Sequence, residues 1–173
     1  MLKRFTARLF RSEPKRSVRR TLPQAVLTQA CVTAMHDCLL PEMRRDHEGI
    51  AYLLGQSDGS TTLVVAAIRP DAVTTRGSFN VSAPAMARVV RKATDYGLQV
   101  VGQVHTHPGD AYHSDGDNKG ARIAYSGYVS IVIPVYGRHL PKLEGIAAFM
   151  FRAGDGFVVL DPTRVLITPA RVH

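Results

Sequence analysis

VGQVHTHPGDAYHSDGD, residues Val101 to Asp117, is the stretch that decides how the rest of the chain is read. Its first half, entered from Leu98, predicts a strand rich in Val and Gln that runs into two histidines. Side chains alternate across a strand, so His105 and His107 share one face and Thr106 takes the other. Two imidazoles on one face can hold one ion, and a catalytic zinc site needs about three protein ligands with one position left open. Pro108 lacks a donor N–H and stops the strand. The chain can then loop through Gly109–His113 and bring a carboxylate back to the histidines. Asp117 is the leading candidate for that carboxylate; Asp110, Asp115 and His113 lie in the same loop as alternatives. A His-x-His pair alone is weak, and it gains weight here from Pro108, Ser114, Asp117 and the upstream Glu48.

Those residues resemble the motif of the JAMM (MPN+) metalloproteases: a Glu, then His-[Ser/Thr]-His-Pro, then Ser-x-x-Asp. Glu48-Gly-Ile-Ala-Tyr-Leu-Leu-Gly55 is similar to the first strand of that family, which starts on the Glu and ends on a Gly. Within the family the chain most resembles the compact bacterial JAB branch, over roughly residues 21–160. The resemblance implies a cytidine-deaminase-like three-layer α/β/α sandwich with a mixed central sheet. It divides the chain into a basic extension, 1–20, and one metalloprotease domain, 21–173.

The resemblance also implies roles. His105, His107 and Asp117 would hold Zn2+; Glu48 would be the general base and then acid; Ser114 would hydrogen-bond the substrate carbonyl or the oxyanion. The expected activity is that of an isopeptidase or peptidase that removes or trims a ubiquitin-like protein. Partners implied in the same way are E1-like and E2-like proteins, in some cases within antiphage systems. The spacer between Pro108 and Ser114 departs from the family, with five residues, Gly109–His113, where seven are usual. Asp117 is preferred over its neighbours because it keeps the Ser-x-x-Asp spacing and opens a helix expected over Asn118–Tyr125.

Two other function classes compete. A non-catalytic MPN-like scaffold of a conjugation complex would characteristically lack metal ligands, whereas every motif residue is present here. A zinc nucleobase deaminase expects His-x-Glu and Pro-Cys-x-x-Cys, which this chain lacks.

The net charge of +8 is not spread evenly. Residues 1–20 hold eight basic side chains and one acidic, leaving 14 basic and 13 acidic in the remainder. The charge is concentrated in the N-terminal tail, where Leu2, Phe5, Leu9 and Phe10 fall near helical spacing; the tail reads either as a solubilising terminus or a terminal helix packed on the domain, or as a basic amphipathic segment for an acidic partner or membrane surface. It does not argue for a specific nucleic-acid-binding domain. Arg19-Arg20 superficially resembles a twin-arginine signal, but Gln24, Thr28 and Gln29 interrupt the apolar run that would follow. Cys31 and Cys38, seven residues apart on an expected helix, are too distant to pair within it and read as buried thiols of a reducing, cytoplasmic compartment.

The rest of the chain predicts a helix over about 22–39, with Thr21 as cap, Pro23 in the first turn and Pro41 as its stop. Strands follow at 48–55 and 62–69, paired as a hairpin through Asp58-Gly59. The segment 69–82 reads as a loop, and Gly77-Ser78-Phe79 within it is the candidate edge for an extended substrate tail. A helix is expected over 83–96, capped by Ser82 and stopped by Gly97. Strands at 128–136, 145–152 and 156–160 complete the sheet.

Overall fold

The computed structural model describes residues 22, 24–114, 116–117, 123 and 125–169. The expectations for the basic tail, for Thr21 and Pro23, and for residues 118–122 and 124 of the expected helix lie outside these; Ile123 and Tyr125, at its far end, are not helical.

The strands are β1 (Ala25–Thr28), β2 (Ile50–Ser57), β3 (Thr62–Ile68), β4 (Ala72–Thr75), β5 (Ser78–Val81), β6 (Gln99–Thr106), β7 (Val129–Ile133), β8 (Ala147–Arg152), β9 (Gly156–Val159) and β10 (Val165–Thr168). Two helices, α1 (Gln29–Met43) and α2 (Ala83–Asp95), accompany them. Eight strands form one mixed sheet in the order β10-β1-β3-β2-β6-β7-β8-β9, and β4 with β5 forms a separate two-stranded hairpin.

The expected first helix is corrected at both ends. Residues 25–28 are a strand, inserted parallel between β10 and β3, with Ala25 and Leu27 fully buried. The helix starts after Thr28, whose side chain accepts the Cys31 N–H at 3.1 Å. Pro41 lies inside α1 rather than after it. In the last turn its missing donor costs a single helical bond, and the ladder resumes with Arg44 N–H to Leu40 O at 3.1 Å. Strand β10 and the hairpin were not expected; the predicted β2–β3 hairpin and α2, capped by Ser82, are present.

Alternation along β2 builds a core on each face of the sheet. Ala51 and Leu53 join Cys31, Val32, Met35 and Leu39 of α1, whereas Ile50, Tyr52 and Leu54 join Ala85, Met86, Val89 and Ala93 of α2. One helix therefore covers each face, in three layers. Strand β6 switches phase: Leu53 pairs with Gly102 and Leu54 with Val100, so Val101 is an extra, bulged residue. Val100 faces α2 and Val101 and Val104 face α1, and the bulge returns Gln103 and His105 to the α2 side. No helix among the described residues is long and apolar enough to cross a membrane.

Candidate metal centre and cleft

His105 lies in the last full turn of pleat of β6, wholly buried, and His107 follows directly after the strand. The backbone of His107 is held on both sides: its N–H donates to Ile133 O at 2.9 Å and its carbonyl accepts the Tyr136 N–H at 2.7 Å. Gly109 O accepts from Val135 N–H at 3.1 Å. These bonds fix a turn in which Val135 (φ 51°), Tyr136 (φ 53°) and Gly137 (φ 82°) are all left-handed. For a β-branched residue such as Val135 this conformation is strained. Tyr136 reaches in the other direction too, its hydroxyl donating to Arg76 O at 2.9 Å on the tip of the β4–β5 hairpin.

Asp117 completes the cluster. Its Oδ1 lies 3.2 Å from His105 Nε2 and its Oδ2 3.5 Å from His107 Nε2. One ligand atom from each of the three residues falls within 4.8 Å of the others. Ser114 and Asp117 cap each other: Ser114 N–H and Oγ–H both donate to Asp117 Oδ2 at 2.7 Å, and Asp117 N–H donates to Ser114 Oγ at 3.1 Å. This is the capping-box pattern with Asp as its acid, and it aims the carboxylate at the histidines.

The donor set fits a cation. Among the described residues neither ring nitrogen of His105 makes a hydrogen bond, although the ring is fully buried. Such orphaned nitrogens are costly unless something else takes them up. Burial alone would raise the Asp117 carboxyl, but the adjoining His105 and His107 rings, with the Ser114 hydroxyl added, outweigh it and hold the group far below the usual carboxylate range. His107 is shifted upward, chiefly by its hydrogen bond to Asp117.

Glu48 sits across from the cluster. The antiparallel register pairs Ile50 with His105; continued by one residue, it sets Gly49 opposite Thr106, whose N–H donates to Gly49 O at 3.0 Å, and then Glu48 opposite His107. Strand β2 thus begins two residues after Glu48 rather than on it. Glu48 is buried, and desolvation raises its carboxyl above the ordinary range, His107 lowering it and Asp117 adding to the rise. Glu48, His107, Ser114 and Asp117 line one open cleft of about 520 Å³, walled by residues 77–81 and by Tyr52, Gln103 and Tyr112.

Residues 29–149 match the family described as prokaryotic homologs of the JAB domain. This chain belongs to that JAB family. It is similar to a probable metalloprotease of Sinorhizobium fredii, 27% identical over 131 residues that span 73% of this chain and 81% of that protein. Its fold is similar to the solution structure of a Desulfitobacterium hafniense protein, with a TM-score of 0.62 and 17% identity, covering 84% of this chain and 93% of that one.

In this JAB chain two of the loop alternatives, Asp110 and His113, stand outside the His105–His107–Asp117 cluster. Asp110 is exposed, and Asp115 lies outside the described residues. His113 Nε2 turns to Ser130 Oγ at 3.2 Å, with its ring against Phe149 and Phe157. His47 bonds Thr74 Oγ1 at 3.2 Å, His36 contacts Asp37, His139 is exposed, and His173 is not described. Both cysteines are free; burial pushes the Cys31 thiol up to about 12, which suits an inert core residue.

Sequence reasoning did not find Gln103 or Tyr112 in the cleft, the Tyr136 bridge, or that residues 72–81 form a hairpin whose second half walls the cleft. The signal for that wall was short: Ala72-Val-Thr-Thr and Ser78-Phe-Asn-Val flank Arg76-Gly77, a hairpin pattern only four residues long on each side. Phe79, singled out as part of a substrate edge, packs against the His105 ring at a tilt of 49°, with ring centroids 5.3 Å apart.

Proposed function

We propose that this chain is a zinc-dependent isopeptidase or peptidase that removes or processes a ubiquitin-like protein. The observation that carries the reading is the His105, His107 and Asp117 cluster, two of whose members, His107 and Asp117, share one cleft with Glu48. The JAB family and the metalloprotease relative support a metallopeptidase-type function. Two imidazoles and one carboxylate suit zinc, and the open cleft leaves room for water and substrate.

A zinc ion held by His105, His107 and Asp117 would supply Lewis acidity, activating water near neutral pH and polarising the scissile carbonyl. Glu48, desolvated but not a ligand, takes a proton from the attacking water and passes it to the leaving amine as the C–N bond breaks. Phe79 and the hairpin wall orient an extended tail by main-chain and apolar contact. The Ser114 hydroxyl donates its hydrogen bond to Asp117 in this arrangement, so a part at the oxyanion requires it to turn into the cleft.

The helix–sheet–helix layering supports reading the architecture as cytidine-deaminase-like. Two free thiols support a reducing, cytoplasmic setting. Proposed partners are E1-like and E2-like proteins, from the resemblance, and an acidic partner or membrane surface for the basic tail.

The test is Glu48→Gln, assayed on ubiquitin-like protein fusions and isopeptide conjugates with zinc content measured alongside. Loss of cleavage with about one zinc retained per chain is expected. Equal cleavage by both proteins would overturn the mechanism, and no cleavage of any substrate by the parent chain would favour the scaffold.

A further inference from the structure

Thr106 stands between the two histidines and faces away from them. Its buried Oγ1 accepts the Gly49 N–H at 2.8 Å, while its own N–H donates to Gly49 O. Both main-chain groups of the residue after Glu48 are therefore held by the one residue between the histidine ligands. Gly49 has no freedom on its other side. A Cβ there would lie 2.9 Å from Leu39 Cδ2 and 3.3 Å from Glu42 Cβ, so its backbone is pressed directly onto α1. Before it, Glu48 N–H donates to Thr75 O at 2.8 Å. The Cα that carries the Glu48 carboxylate is thus clamped by β4 on one side and by Thr106 on the other.

The hydroxyl matters because Gly49 N–H is buried and takes a side chain as its acceptor. Valine has the shape of threonine without that acceptor, and would leave a buried N–H unpaired. Serine keeps the acceptor and loses only a methyl.

We infer that Thr106 is a positioning residue: through Gly49 it sets the Glu48 carboxylate at its place relative to His105 and His107. The inference rests on Glu48 being the general base. A displacement of that carboxylate costs turnover without costing the metal, because Thr106 contributes no ligand atom.

The experiment compares zinc-loaded full-length protein with Thr106→Val and Thr106→Ser. It reads zinc per chain, hydrogen exchange at the Gly49 amide, and kcat and KM on a linear fusion of ubiquitin to a reporter. For Thr106→Val the expected result is unchanged zinc and KM, exchange at Gly49 accelerated by roughly tenfold or more, and kcat lowered roughly 10- to 100-fold. Thr106→Ser is expected to restore both. Parental exchange and kcat in Thr106→Val would overturn the inference. So would a kcat loss that only tracks lost zinc, or failure of serine to rescue. Should the valine chain not fold, Thr106→Ala is read against serine in the same way. If the parent does not cleave the fusion, the substrate reading fails, and exchange at Gly49 with zinc retained still decides whether Thr106 holds this backbone.

Discussion

Ser114 and Asp117 hold each other by three hydrogen bonds, two of them converging on the single oxygen Oδ2 that also faces His107. A carboxylate restrained in this way meets a metal with its orientation already set. Ser114→Ala removes the hydroxyl and keeps the backbone bond. Zinc affinity should fall roughly 10- to 100-fold, with about 1 kcal/mol of stability lost with the cap. Competition against a chelator of known affinity measures the first. An unchanged affinity would mean that the cap does not tune the ligand.

Phe79 lies on the cleft side of the hairpin, against the His105 ring. Phe79→Ala should raise KM for substrates with a long extended tail and leave zinc content as it was. Unchanged cleavage of such a substrate would remove the hairpin from the binding site.

Glu42 is buried at the end of α1, where Oε1 accepts from Arg69 at 2.6 Å and Oε2 from Thr74 at 2.6 Å and Arg45 at 3.3 Å. Burial opposes its ionisation, but Thr74, Arg45 and Arg69 prevail and lower its carboxyl. A depressed folded value means stabilisation that is full above the unfolded value, about 4.3, and is lost as pH falls through the folded one. Glu42→Gln should cost about 1–3 kcal/mol near neutrality, since both arginines keep access to water. The gap in thermal midpoint between the two proteins should close as acid is added. A gap that stays constant with pH would show that ionisation of Glu42 does not matter.

Gly102 has Val129 O only 2.4 Å from where a Cβ would sit, and that atom is backbone of the neighbouring strand β7. Gly102→Ala should therefore part β6 from β7 just beside the bulge, destabilising by about 3 kcal/mol or more and loosening zinc through His105. Chemical denaturation with and without zinc reads both effects; parental stability would contradict the close approach.

The convergence of His105, His107 and Asp117 was legible because its logic is local. His105, Thr106 and His107 alternate on a strand, Pro108 stops it, and the Ser114–Asp117 spacing writes a cap. The bulge at Val101 was not legible, since a pleat with one extra residue leaves no mark in composition, and it happens to precede both histidines without disturbing their relation. Strand β1 was hidden for another reason. Its partner β10 pairs Ala25 with Val165, far along the chain, so Leu22 to Leu27 fit the helical period as well as any strand. The same non-local pairing left Val165–Thr168 unrecognised. Pro41 misled because proline is a strong stop within a helix but a cheap one in its final turn.

Tyr136 bridges two segments beside the cleft, its amide on His107 O and its hydroxyl on Arg76 O. A single tyrosine therefore ties the loop after His107 to the hairpin tip, whose Arg76 lies 60 residues before it in the chain. A shift in either is passed to the other, so the loop and the hairpin move as one frame around the histidines.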